Sequence, residues 1–270
     1  MRSLLKHFVF AAAVVLLGGQ PAVAREDAPP TSVEDWSLEK VQVIGAALYR
    51  QDAAAAVASD ALTQHFRNRL PTDLIGWIVV DEGDNQRVRF LRQENGQRRA
   101  AWDVLVTSEG AGPVEAAVDP VLPADQLARF DARMTAANQI GELRCAQRYN
   151  AVVLKDPDSE DWLVWLLAST TDPNSLILTG HYRFRISADG RSLLRRDQLS
   201  ATCIISDRRE AARDGQLNAL VVSHIVSPLP VETHVFASLL YRLPIYVVTV
   251  GNDTIWAVEG ANIRRSHVQN

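Results

Sequence analysis

Apolar positions along the chain change their period several times, and each change marks an element. Trp36, Val41, Ile44, Ala47 and Leu48 recur at helical spacing, and an Ala-rich stretch with Leu62 and Phe66 extends the run towards Pro71. Thr31 with Glu34, or Ser32 with Asp35, supplies a helix start with an acidic first turn. The polar pair Gln51-Asp52 interrupts this region and predicts two helices broken there. The pattern then shortens to strands. Residues 76–80, 88–91 and 101–106 read as strands separated by turns at 81–85 and 94–97, the second carrying the Asn-Gly hairpin signal. Residues 110–123 are rich in Gly, Ala and Pro and read as loop, and 123–140 as a helix with Leu127, Phe130 and Met134 on one face.

The remainder is strand-rich. Residues 149–154 and 162–168 flank an acidic turn, and 176–186 and 191–205 flank Ala188-Asp189-Gly190. Residues 219–226 form a further strand. Val235, Phe236, Leu239, Leu240 and Leu243 resume helical spacing after Pro228 and Pro230, and 245–250 and 254–258 make a last hairpin. The expected class is α+β: a mainly antiparallel sheet of successive hairpins with N-terminal, central and late helices, and no βαβ rhythm. A small α+β unit at 33–115 with a larger one at 116–263, and one continuous domain at 33–263, both fit the pattern.

The first residues follow a different logic. Arg2 and Lys6 precede ten uninterrupted apolar residues from Phe8 to Leu17, and Ala22-Val23-Ala24 is a small-x-small cleavage site. This is the pattern of a secretory signal peptide at 1–24, with a linker at 25–32, and the apolar run is shorter than the roughly 20 residues a spanning helix needs. No integral membrane segment is expected after cleavage. Composition agrees with a folded chain, at 47% hydrophobic and 22% charged residues. A net charge of −4, made more acidic by loss of Arg2 and Lys6, argues against nucleic acid as a partner. In an exported chain the only two cysteines, Cys145 and Cys203, predict one disulfide.

Candidate chemistry is sparse. Ser37-Leu38-Glu39-Lys40 matches a serine nucleophile one helical turn from an amine, but its usual partner motifs are absent and a solvated helix face explains it. No nucleophile elbow, phosphate loop or His-Glu-x-x-His occurs. His224, Glu232 and His234 form the densest histidine cluster; two imidazoles and a carboxylate can serve acid–base chemistry or zinc, although local structural roles account for them too. His181, Arg183 and Arg185 alternate along one strand and would present a stripe able to hold an anionic ligand, or simply a solvated sheet face. The acidic turn at 156–161 reads as solvated, and the tryptophans as packing residues. No cofactor or metal is indicated.

A resemblance adds to this. Tyr149-Asn150-Ala151-Val152-Val153-Leu154, Gly180-His181-Tyr182-Arg183, Ser187-Ala188-Asp189-Gly190, Glu232-Thr233-His234-Val235-Phe236 and Ile255-Trp256-Ala257-Val258-Glu259-Gly260 carry it. Over about 145–262 the chain resembles a group of uncharacterised exported proteobacterial proteins, which implies export and no particular activity. The expectation is a periplasmic or secreted, non-enzymatic protein that binds a small ligand or an envelope protein. The alternative is a metal-assisted or acid–base hydrolase using the His224/Glu232/His234 region.

Overall fold

The computed structural model describes residues 33–212 and 216–266. The expected signal peptide, linker and helix-start residues Thr31 and Ser32 lie outside them, as does His267.

Residues 33–37 run without regular structure and lead into α1 (Leu38–His65), whose N-cap is Ser37: its hydroxyl accepts the Lys40 amide at 3.2 Å. The helix is a single 28-residue element and does not break at Gln51-Asp52. Both polar side chains find partners without leaving the helix: Gln51 donates to Asp81 at 2.9 Å, and Asp52 accepts from Asn150 at 3.0 Å. The alanines that follow have the best helix propensity available. Val41, Ile44, Leu48, Gln51, Ala55, Ala58 and Leu62 make one buried stripe at alternating spacings of three and four. Arg67 and Asn68, both at positive φ, then turn the chain.

Strands β1 (Leu74–Glu82), β2 (Asn85–Glu94) and β3 (Gln97–Thr107) form the expected meander, with Asn95-Gly96 both at positive φ in the second turn. Two short strands, β4 (Gly110–Ala111) and β5 (Glu115–Ala116), lie in the segment read as loop and pair with β3. Helix α2 (Ala124–Ala137) follows.

A second antiparallel sheet has the order β10-β9-β7-β6, from β6 (Arg148–Lys155), β7 (Trp162–Ser169), β9 (Tyr182–Ile186) and β10 (Leu193–Gln198). The expected long strands at 176–186 and 191–205 are each broken in two, releasing β8 (Ser175–Ile177) and β11 (Ile205–Asp207) into a separate pair. The break follows from Gly180 and the disulfide. Gly180 sits at φ +88°, and a Cβ there would lie 2.3 Å from the Cys145 sulfur. Cys145 is bonded to Cys203, with Cα atoms 5.3 Å apart.

After the short helix α3 (Arg208–Ala211), a third sheet has the order β12-β13-β14-β15, from β12 (Leu220–His224), β13 (Ile245–Thr249), β14 (Thr254–Glu259) and β15 (Asn262–Arg265). Strands β12 and β13 are parallel, joined through α4 (Glu232–Tyr241). Among the described residues β12, α4 and β13 thus form a βαβ unit within an otherwise antiparallel fold.

Helix α1 serves two cores. Val41, Ile44 and Leu48 pack with β7, α4 and the third sheet, while Ala54, Ala55, Ala58 and Leu62 pack on the meander. Its crossing with α4 is close because residue 45 has no side chain: a Cβ there would lie 2.5 Å from Val235 Cβ and 2.7 Å from the Glu232 carbonyl oxygen. Gly45→Ala gains up to about 1 kcal/mol of helix propensity. It also forces apart a backbone that cannot rotate out of the way, at about 1–3 kcal/mol. Net destabilisation is expected in urea unfolding of the oxidised protein; an unchanged or raised midpoint would show that the two helices are not in this contact.

Candidate functional site

The two groups of candidate residues meet inside the protein. Strand β9 has helices on both sides. Tyr182, Phe184 and Ile186 face α2 with Ala132 and Ala136. The opposite face, carrying Arg183 and Arg185, is covered by residues 33–36 and α4, so the expected solvated stripe does not exist. Arg183 is 2% exposed and donates to Glu232 Oε1 and Oε2 at 3.2 and 3.1 Å, to Asp197 Oδ2 at 3.0 and 2.7 Å, and to the Glu34 carbonyl at 3.0 Å. Its guanidinium lies 3.7 Å from the centre of the Trp36 ring. Arg185 pairs with Glu34 and Asp156. The arginines do bind anions, and those anions are the protein's own carboxylates.

Asp156 belongs to the turn expected to be solvated, yet it is buried. Burial pushes its carboxyl pKa up, but hydrogen bonds from the Asp158 amide and Ser159 hydroxyl, with the charges of Arg185 and Lys40, outweigh this and leave it below the usual value. Lys40 reaches Asp158 at 2.5 Å and stacks on Trp36, so it is not poised to activate Ser37, whose hydroxyl is occupied as the cap.

Glu232 is the first residue of α4 and fully buried. Beyond Arg183 it accepts the Trp165 indole N–H at 2.7 Å. The carboxylate is thereby turned towards β7 and β9. His234, in the same helical turn, accepts the Val231 amide on Nδ1 at 3.1 Å. His224 ends β12, and its ring meets that of His234 edge-on at 4.9 Å between centroids. His224 Nε2 lies 2.6 Å from the Ser227 hydroxyl, which itself donates to the Leu229 carbonyl at 2.6 Å. The hydroxyl's proton being committed there, the imidazole N–H is the donor of the first bond, the reverse of what a serine nucleophile needs.

His181 lies on the same α4-covered side as Arg183, its ring meeting Phe236 of α4 edge-on at 6.4 Å between centroids. The His181 Nδ1 accepts the Ala168 amide at 3.0 Å, and among the described residues its Nε2 has no hydrogen-bond partner. Burial pushes His181 and His224 down to about 4. His234 lies well below its ordinary value through burial and the nearby His224 and His181. All three are neutral at pH 7 and weak bases. Among the described residues no three His, Cys, Asp or Glu side chains are grouped to hold a metal ion.

Concave surface of ligand size occurs elsewhere. Two cavities of ≈ 280 and ≈ 340 Å³ share Ser169, Thr170, Ser175 and Ile177, where the end of β7 meets β8. Arg148 lines one and Arg208 the other, and Phe236 and Leu240 give the second an apolar wall. Of these, Phe236 and Leu240 were legible only as positions of a helical stripe, and Ser169, Thr170 and Ser175 did not stand out, because hydroxyls at a strand end read as turn chemistry. Asp197 of the Arg183 network likewise had no local signature, and Trp36, expected in the helical stripe, lies ahead of α1 with its ring on Arg183. No helix among the described residues is long and apolar enough to cross a membrane. No protein-family model, curated protein or solved structure matches the chain.

Proposed function

We propose that the protein is exported to the bacterial envelope or secreted, and acts there without catalysis by binding a small ligand or an envelope protein. The observation that carries this reading is the hydroxyl- and arginine-lined concave surface at the end of β7, where Ser169, Thr170 and Ser175 line two adjoining cavities. The disulfide fits an oxidising compartment, and so do the apolar run and cleavage site within residues 1–24. The resemblance of about 145–262 to exported proteins supports the same address. The hydrolase alternative is disfavoured because Glu232 is bound to Arg183 and Trp165, and His224 faces a hydroxyl already donating elsewhere.

Native mass spectrometry of the full chain, recovered from a periplasmic extract without chelator, tests the reading. The expected species lacks residues 1–24, carries one disulfide and holds no stoichiometric divalent metal. A metal present at one equivalent and lost in His224→Ala would overturn it in favour of metal-assisted hydrolysis. An uncleaved chain retained in the cytoplasm would overturn the export half.

A further inference from the structure

Arg129 and Arg133 sit four apart on α2 and reach across to β1, an edge strand paired only with β2. Arg133 donates to the Trp77 carbonyl at 3.0 Å and Arg129 to the Val79 carbonyl. Two residues along a strand and four along a helix span nearly the same distance, about 6–7 Å, so the two guanidiniums cap successive outward carbonyls of the edge. This explains their positions but not their charge. Among the described residues neither guanidinium forms an ion pair; Asp81 and Asp125 act on Arg129 only through space. Burial lowers Arg129, and pushes Arg133 down to about 10, as expected for cations without a contacting counter-ion. Arg133 is held by stacking on Trp77 at 4.1 Å, and Arg129 lies 5.3 Å from the Trp162 ring centre.

Both arginines line a partly open cavity of ≈ 20 Å³, whose other walls are Gln51 of α1, β1 and β6, which is itself an edge strand. In a β-strand the N–H and C=O of one residue point to the same side. Trp77 and Val79 therefore turn their amide N–H groups the way they turn their carbonyls, out from the edge. The carbonyls are occupied by the arginines, so that side of the edge presents donors. Each guanidinium has five N–H donors, and only one nitrogen of each contacts β1.

We infer that this cavity is a binding site for one small monatomic anion of the halide class, held by Arg129, Arg133 and the edge of β1. The size decides the class: the space suits about one water-sized particle, too little for sulfate, phosphate or a carboxylate-bearing metabolite. The anion would supply the missing counter-charge where α2, α1 and the two sheet edges converge. This goes beyond the proposed function and does not depend on it.

The test compares thermal unfolding of the oxidised chain in sodium gluconate, chloride and bromide at equal ionic strength, with anomalous diffraction from crystals holding bromide. A Tm about 3 °C higher in 0.1 M bromide or chloride than in gluconate is expected, the size that a site about ten-fold above its Kd produces. A bromide peak within contact distance of both guanidiniums is expected as well. General salt effects do not mimic this, because weakly hydrated bromide is the poorer stabiliser when it acts only on the surface. The shift should vanish in Arg129→Gln and Arg133→Gln. If those variants fail to fold, the wild-type Tm series and the diffraction still decide. Equal Tm in all three salts, or solvent density without anomalous signal, overturns the proposal. So does a bromide peak with no Tm response, which means binding at crystal concentration only.

Discussion

Arg183→Ala is expected to destabilise the fold by about 3–5 kcal/mol, the range for removing one partner of a buried ion pair. The reason is what remains. Asp197 keeps Arg195 at 2.7 Å and is still partly neutralised. Glu232 keeps only the Trp165 indole, a neutral donor, and is left as an uncompensated charge under α4. The residues before α1 are also released, because the Glu34 carbonyl and the Trp36 ring lose their partner. Urea unfolding of the oxidised protein measures the loss, and the double variant Arg183→Ala/Glu232→Gln identifies its origin. A neutral amide still accepts the indole bond and no longer carries an unpaired charge, so the double variant should be more stable than the single one. A loss under 1 kcal/mol in Arg183→Ala would show that the pair is not desolvated in solution. A double variant no better than the single would place the loss in packing around Trp36 instead.

Much of the architecture could be read locally. Asn95-Gly96 and Asp189-Gly190 mark turns because their glycines take positive φ, and both turns are there. Pro228 and Pro230 announce α4, and the lone cysteines do pair. What could not be read depends on distant neighbours. Alternation along β9 shows that it has two faces, but not that residues 33–36 and α4 cover the polar one. Gly180 interrupts the strand at φ +88°, packed where a Cβ would lie 2.3 Å from Cys145, a neighbour 35 residues away that no local pattern announces. A strand, a helix and a strand in sequence read alike whether the strands pair directly or not, so the parallel pairing of β12 with β13 was missed. The candidate site suffered in the same way: Arg183 and Glu232, assigned to separate groups, are one buried network. Nothing near Arg129 and Arg133 in sequence points to the edge of β1, whose carbonyls they reach from α2.

Acid should unfold the protein in two stages, the first set by histidines. His181 and His224 titrate near 6.5 when unfolded and near 4 when folded. Between those values the unfolded chain binds the protons that the folded chain refuses, so stability is complete above about pH 6.5 and falls as pH drops towards 4. The loss is about 3 kcal/mol for each imidazole. His234 adds to it in the same direction. Asp156, Asp172, Asp189 and Asp207 have folded values below the ordinary carboxylate value, so their contributions disappear only at lower pH, in a separate window. Urea midpoints between pH 8 and 4, corrected for any change in slope, should therefore fall steeply from about pH 6.5. His181→Asn places an amide oxygen where Nδ1 accepts the Ala168 amide and removes the titration, so it should flatten the curve while sparing stability at pH 7 relative to His181→Ala. A wild-type midpoint that holds level from pH 7 to 5 would mean that the imidazoles reach water or a hydrogen-bond acceptor able to take an N–H from the protonated ring. That outcome would return His224 and His234 to consideration as acid–base residues, because a histidine able to take a proton near neutrality is the group a hydrolase would need.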